Sequence, residues 1–101
     1  MKILLLCSAG MSTSLLVNKM QKIAKEIGTE DIEVSADTVE SFEDKVEEYD
    51  VFLLGPQIKY KEKYVKQLVE KKGKKCECIP PQIYGRMDAK KVLELAINLI
   101  K

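Results

Sequence analysis

Two uninterrupted apolar runs stand out along the chain, Ile3-Leu4-Leu5-Leu6 and Val51-Phe52-Leu53-Leu54. Each is short and ends in a turn signal. The first meets Cys7 and then small, hydroxylated residues; the second meets Gly55-Pro56-Gln57. Runs of this length so bounded suit fully buried strands, although periodicity alone leaves a helix segment open. Residues 31–36 alternate Ile32, Val34 and Ala36 with Glu33 and Ser35, which predicts a short strand near a sheet edge. Residues 75–79 predict a fourth strand.

Between these runs the apolar spacing turns helical. Leu16, Met20, Ile23 and Ile27 recur with Lys19, Lys22, Lys25 and Glu26 between them. Ser12 or Thr13 suits the N-cap of that helix and Gly28 its C′ stop. Thr38 or Ser41 is expected to cap a second helix, with Val39, Phe42, Val46 and Tyr49 inward and the acidic residues Glu40, Glu43, Asp44 and Glu47 on a solvated face. A lysine-rich third helix buries Tyr64, Val65, Leu68 and Val69 and stops at Gly73. Residues 80–86 read as an irregular connection. Asp88 then caps a closing helix whose apolar side is Val92, Leu93, Leu95, Ala96, Leu99 and Ile100.

Strands alternating with helices predict an α/β domain, doubly wound in three layers, with a four-stranded parallel sheet flanked by helices on both faces. No linker or repeat divides the chain, so residues 1–101 form one expected domain. Ligands of such sheets sit outside the carboxyl ends of the strands, near the switch in strand order. Three loops are expected to meet there: residues 7–14, residues 55–59 and residues 80–87.

Composition narrows the chemistry. A net charge of +1 calls for neither nucleic acid nor a membrane surface, and the apolar runs are far short of a membrane span. No basic and apolar leader marks a signal peptide, so the cytoplasm is the expected location. Three cysteines, an odd count, argue against a disulfide framework in such a chain, and Cys76 and Cys78, two apart on one strand, read as packing residues. There is no histidine, which removes the commonest general base and metal ligand. No metal or organic cofactor is implied. A phosphohistidine, if one takes part, belongs to a partner.

Cys7 is the candidate nucleophile. It ends the first strand, and Ser8, Ala9, Gly10, Met11, Ser12 and Thr13 follow with little bulk and many hydrogen-bonding groups. Backbone amides of such a loop, backed by a helix N-terminus, form an anion cradle and favour a thiolate. The Ser12 and Thr13 hydroxyls serve as auxiliary donors. Gly55 allows a close backbone approach, Gln57 offers an amide, and Tyr84, Gly85 and Arg86 are placed to close one wall. The alternative for Cys7 is a space-filling core residue.

The run L-L-C-S-A-G-M-S-T-S-L-L, followed by L-L-G-P-Q-I and I-Y-G-R-M-D, closely resembles the IIB component of the lactose/cellobiose/chitobiose class of the bacterial phosphoenolpyruvate-dependent sugar phosphotransferase system. The resemblance extends over essentially the whole chain. It implies a cysteine phosphorylated by a phosphohistidine of the IIA subunit, which then donates to a sugar held in the IIC membrane transporter. Cys7 matches that cysteine, and Ser8 through Ser14 match its phosphate-cradling loop. Gly55, Pro56, Gln57, Tyr84 and Gly85 match the neighbouring loops. The family's subunit is cytoplasmic and reaches the membrane by docking on IIC.

Two rivals remain at this level. A low-molecular-weight-phosphatase-like hydrolase has a similar strand–loop–helix site but needs C-x5-R, whose arginine clamps the phosphoryl group. Thr13 holds that arginine's place, and the only arginine is Arg86. The other rival is a non-catalytic signalling module in which Cys7 is structural.

Overall fold

The structure, a computed structural model, describes residues 1–7, 11–28 and 31–99, with residues 11–14 described by their backbone alone. Four strands form one parallel sheet: β1 (Lys2–Cys7), β2 (Glu33–Thr38), β3 (Val51–Leu54) and β4 (Lys75–Cys78). Their spatial order is β2-β1-β3-β4. The two apolar runs are the central strands β1 and β3, buried on both faces, and β2 is an edge strand as its alternation predicts. Asp50 sets the start of the β1–β3 pairing. Its carboxylate accepts the Lys2 N–H at 2.9 Å, and its own N–H donates to the Lys2 carbonyl at 2.8 Å.

Alternation along β1 splits the core in two. Ile3 and Leu5 join Leu16, Met20, Ala24, Val92, Leu93 and Ala96 on one face, under the helices α1 (Met11–Glu26) and α4 (Ala89–Leu99). Leu4 and Leu6 face Phe42, Val46, Ile58, Val65 and Val69 on the other. That second layer contains α2 (Glu62–Glu70) and two 3₁₀ stretches, Glu43–Glu48 and Pro56–Lys61. The sheet thus has helical layers on both faces, the α/β architecture read from the sequence.

Several local expectations are corrected. The second crossover is the 3₁₀ stretch Glu43–Glu48, with no side-chain cap. Thr38 and Ser41, expected to cap a helix, bond each other and Asp37 instead. Val39, Phe42 and Val46 are nevertheless buried as their spacing implies. α1 begins at Met11, so Ser12 and Thr13 lie inside its first turn rather than at an N-cap. Ile27 follows the last residue of α1 and is 54% exposed; Ala24 takes the inward position instead. Gly28, with φ +80°, and Gly73, with φ +75°, end α1 and α2 in the left-handed conformation that glycine tolerates best. Tyr64 is 40% exposed, its ring edge on Phe42 and its hydroxyl donating to Glu43.

The irregular connection expected at residues 80–86 contains a one-turn helix, α3 (Pro81–Gly85), because proline at its first position has the required φ and no N–H to satisfy. Asp88 caps α4 as expected, its Oδ1 accepting the Lys91 N–H at 3.3 Å. Ile100 lies outside the described residues. On the edge strand, the Gln21 side chain of α1 donates to the Ile32 carbonyl at 2.7 Å and accepts the Val34 N–H at 2.9 Å.

Candidate functional site

The strand order places the switch beside β1. The chain leaves β1 through α1 to β2 on one side, then returns to β3 on the other. Cys7 is therefore at the carboxyl end of a central strand where successive connections diverge, the position at which parallel sheets bind ligands. It is 4% exposed. Its strand partner is Thr38, and its carbonyl accepts the Val39 N–H at 3.2 Å. α1, sixteen residues long, begins four positions after Cys7. The first-turn amides of a helix have no partner within it, and together with the helix dipole they attract negative charge.

Of the expected cradle, Ser8, Ala9 and Gly10 lie outside the described residues. Met11, Ser12 and Thr13 form the first turn of α1, with backbone described and side chains not.

The neighbouring loops converge. The Gly55 N–H donates to the Leu6 carbonyl at 2.9 Å, which brings the end of β3 level with the residue before Cys7. A Cβ at Gly55 would stand 2.6 Å from Gln57 Oε1 and 3.5 Å from Tyr84 Cε2. Gly55, Gln57 and Tyr84 are therefore packed together, and the missing side chain is what lets Gln57 fold back. Pro56 opens the 3₁₀ stretch behind them, and Gly85, exposed, closes α3. Arg86 is exposed at the C-cap of α3. Met87 adopts a left-handed φ of +50° between α3 and α4, which the sequence did not announce.

The other two cysteines lie on β4, and the pKa of each thiol is shifted upward. Burial foremost, then Glu62, pushes the Cys76 thiol up to about 12. Burial, again with Glu62 next, also raises the thiol of Cys78. Cys78 lines a cavity of about 410 Å³ with Pro56, Lys59, Glu62, Glu77 and Pro81 beside edge strand β4, two strands from Cys7. That hollow lies beside an edge strand, whereas the switch in strand order lies at the end of β1.

A polar cluster at the end of β2 went unread in the sequence. Asp37, its side chain 14% exposed, lies 2.6 Å from Lys45 Nζ in an ion pair. Its other oxygen accepts from Ser41 Oγ and the Thr38 N–H, each at 2.8 Å. Burial works to raise the Asp37 pKa, but Lys45, Ser41 and the Thr38 amide together outweigh it and hold the carboxyl below its ordinary value. The signal available was an acidic residue at a strand end with hydroxyls one and four positions later.

Comparison with known proteins fits this arrangement. The family described as "PTS system, Lactose/Cellobiose specific IIB subunit" matches residues 2–95. The oligo-beta-mannoside-specific EIIB component of Bacillus subtilis (strain 168) is 37% identical over 99 residues, covering 98% of this chain and 95% of the relative. The galactose-specific EIIB component of Lactococcus lactis subsp. cremoris (strain MG1363) is 42% identical over 103 residues, covering 97% and 94%. Among solved structures, the lactose-specific IIB domain from Streptococcus pneumoniae superposes with a TM-score of 0.90 over 100% of this chain and 98% of that one; at 18% identity it speaks for the fold. The cellobiose-specific IIB component from Borrelia burgdorferi, 39% identical, gives a TM-score of 0.74 over 98% and 90%. Among the described residues no helix is long and apolar enough to cross a membrane. The chain belongs to the lactose/cellobiose-specific IIB family and is a phosphotransferase component of a sugar phosphotransferase system.

Proposed function

We propose that this chain, acting as one IIB domain over residues 1–101, carries a phosphoryl group on Cys7 from a IIA phosphohistidine to a disaccharide held in a IIC transporter. The observation that carries the reading is the position of Cys7 at the carboxyl end of central strand β1, just ahead of the N-terminus of α1. In the first step the donor N–P bond breaks, an S–P bond forms, and the thiol proton balances the released histidine nitrogen. In the second the S–P bond breaks, a sugar O–P bond forms, and the hydroxyl proton returns to sulfur. In-line transfer of this kind depends on positioning and charge stabilisation, which a chain without histidine supplies from backbone amides.

Residues 8–13 would hold the phosphoryl oxygens, with Gly55, Pro56, Gln57, Tyr84 and Gly85 forming the adjoining wall. The cellobiose-specific EIIB component of Lactococcus lactis subsp. lactis (strain IL1403), 41% identical, supports a sugar of the cellobiose type, while the relatives named for oligo-beta-mannoside and galactose widen the choice. On this reading the protein works in the cytoplasm and meets the membrane through IIC. A hydrolase is less well supported, since Arg86 is exposed at the end of α3 and Thr13 stands where that chemistry needs a clamp.

Intact-protein mass spectrometry tests the proposal after incubation with phosphoenolpyruvate, the general phosphotransferase proteins and a IIA subunit. Wild type is expected to gain one phosphoryl adduct and Cys7→Ser none. An adduct retained by Cys7→Ser moves the site elsewhere. Rapid turnover of an aryl phosphate by wild type would favour the hydrolase.

A further inference from the structure

The two margins of the sheet differ. At β2 the outward groups, the Ile32 carbonyl and the Val34 N–H, bond the Gln21 side chain. At β4 the facing of the backbone follows from one bond, in which the Ile79 N–H donates to the Leu54 carbonyl at 2.8 Å. Along a strand such groups alternate, so Lys75 and Glu77 also bond toward β3, and the N–H and carbonyl groups of Cys76 and Cys78 point outward. Among the described residues nothing bonds these outward groups. They form an open edge.

The side chains say what matches that edge. Lys75 and Glu77 are two positions apart and leave β4 on one face. Lys75 is exposed and Glu77 half-buried, and among the described residues neither forms an ion pair within its own chain. A two-fold axis through Cys76, normal to the sheet, lays β4 antiparallel on itself. It sets Lys75 opposite Glu77 of the second copy, and Glu77 opposite Lys75 of the second copy, on the same face. A slip of two residues opposes Lys75 to Lys75 or Glu77 to Glu77. A slip of one opposes an outward-facing residue to one already bonded to β3. The charge pattern is therefore self-complementary in one register.

We propose that two copies of this chain associate through β4, antiparallel about Cys76, joining two four-stranded sheets into one. The Cys76 N–H donates to the Cys76 carbonyl of the second copy, and the Cys78 N–H to the Lys74 carbonyl of the second copy, each bond occurring twice by symmetry. Gly73 and Pro80 bound the paired segment. Because the strands run in opposite senses, the carboxyl ends of the two sheets open in opposite directions, and both copies of Cys7 stay clear of the contact. An edge of four residues buries less than the roughly 1,200 Å² of a stable interface, so the pairing is weak and reversible.

Sedimentation velocity tests this at low salt, with a reducing agent present so that no cysteine bridges. Wild type is expected to pass from monomer toward dimer between about 10 µM and 1 mM. Lys75→Glu and Glu77→Lys each place like charges opposite one another twice in the dimer, and each should weaken association by about tenfold. An equimolar mixture of the two variants restores both attractive pairs and should dimerise as wild type does, which also shows that both variants are folded. Amide exchange at Cys76 and Cys78 should slow as concentration rises, while that of Val34 stays constant. A wild type still monomeric at about 1 mM would overturn the proposal. So would a dimer unchanged in both single variants, or a mixture of folded variants that does not recover.

Discussion

Phe42 anchors the crossover that carries no α-helix, and its removal is the sharpest test of how the second core is held. Its ring is fully buried, packed edge-on against Phe52 at 6.1 Å and Tyr64 at 6.3 Å between centroids. Its carbonyl accepts the Lys45 N–H at 2.8 Å, so the side chain and the 3₁₀ stretch are fixed together. Phe→Ala in a core costs about 3–5 kcal/mol, from lost transfer energy plus the cavity left behind. Tyr64 is 40% exposed and has room to lean inward, which places Phe42→Ala near the low end, about 3 kcal/mol. A domain of this size has about 5–15 kcal/mol in all. Urea unfolding followed by far-ultraviolet circular dichroism should show that loss with the slope unchanged, and Tm should fall by about 12–24 °C. Phe42→Leu should cost less than about 1.5 kcal/mol. A loss below about 1 kcal/mol for Phe42→Ala would refute the claim that this ring holds the crossover.

Three further outcomes follow from the geometry. Gly55→Ala puts a methyl 2.6 Å from Gln57 Oε1 at an unstrained φ of −65°, so Gln57 swings away and stability changes by less than about 1 kcal/mol. If the Gln57 amide contacts the phosphoryl group, transfer should slow by about tenfold in rapid-quench assays while the urea midpoint stays put. Asp37 has a folded pKa below its unfolded one, so its contribution is present above about pH 4 and lost as pH falls through the folded value. The stability gap between wild type and Asp37→Asn should therefore be constant near neutrality and close in acid; a gap that widens there contradicts the assignment. Lys45, raised foremost by its bond to Asp37, has the opposite sign: its contribution is full below about pH 10 and fades as pH rises further.

The central strands were legible because burial on both faces leaves no polar position to confuse the pattern, as in Ile3-Leu4-Leu5-Leu6 and Val51-Phe52-Leu53-Leu54. Gly28 and Gly73 were legible as stops for an equally direct reason, since each adopts positive φ. The second crossover was not. Val39, Phe42 and Val46 have a spacing that a 3₁₀ stretch buries as well as an α-helix does. What decided the outcome was the diversion of the Thr38 and Ser41 hydroxyls to each other and to Asp37, leaving the segment without a side-chain cap. Ile27 misled because periodicity does not reveal that the helix ends one residue sooner. At the candidate site, the Gly55–Gln57–Tyr84 contact followed from loops expected to meet at the carboxyl ends of the strands. The Asp37 cluster joins residues that a linear pattern assigns to separate tasks.

The Gln21 side chain bears on how this molecule behaves among its own copies. β2 is a sheet edge, and the outward N–H of Val34 and carbonyl of Ile32 are the pair that an incoming strand would use. The Gln21 amide occupies both, imitating the peptide group of a neighbour that is not there. A foreign strand must first displace it. One helix residue thus blunts this margin of the sheet against templated strand pairing.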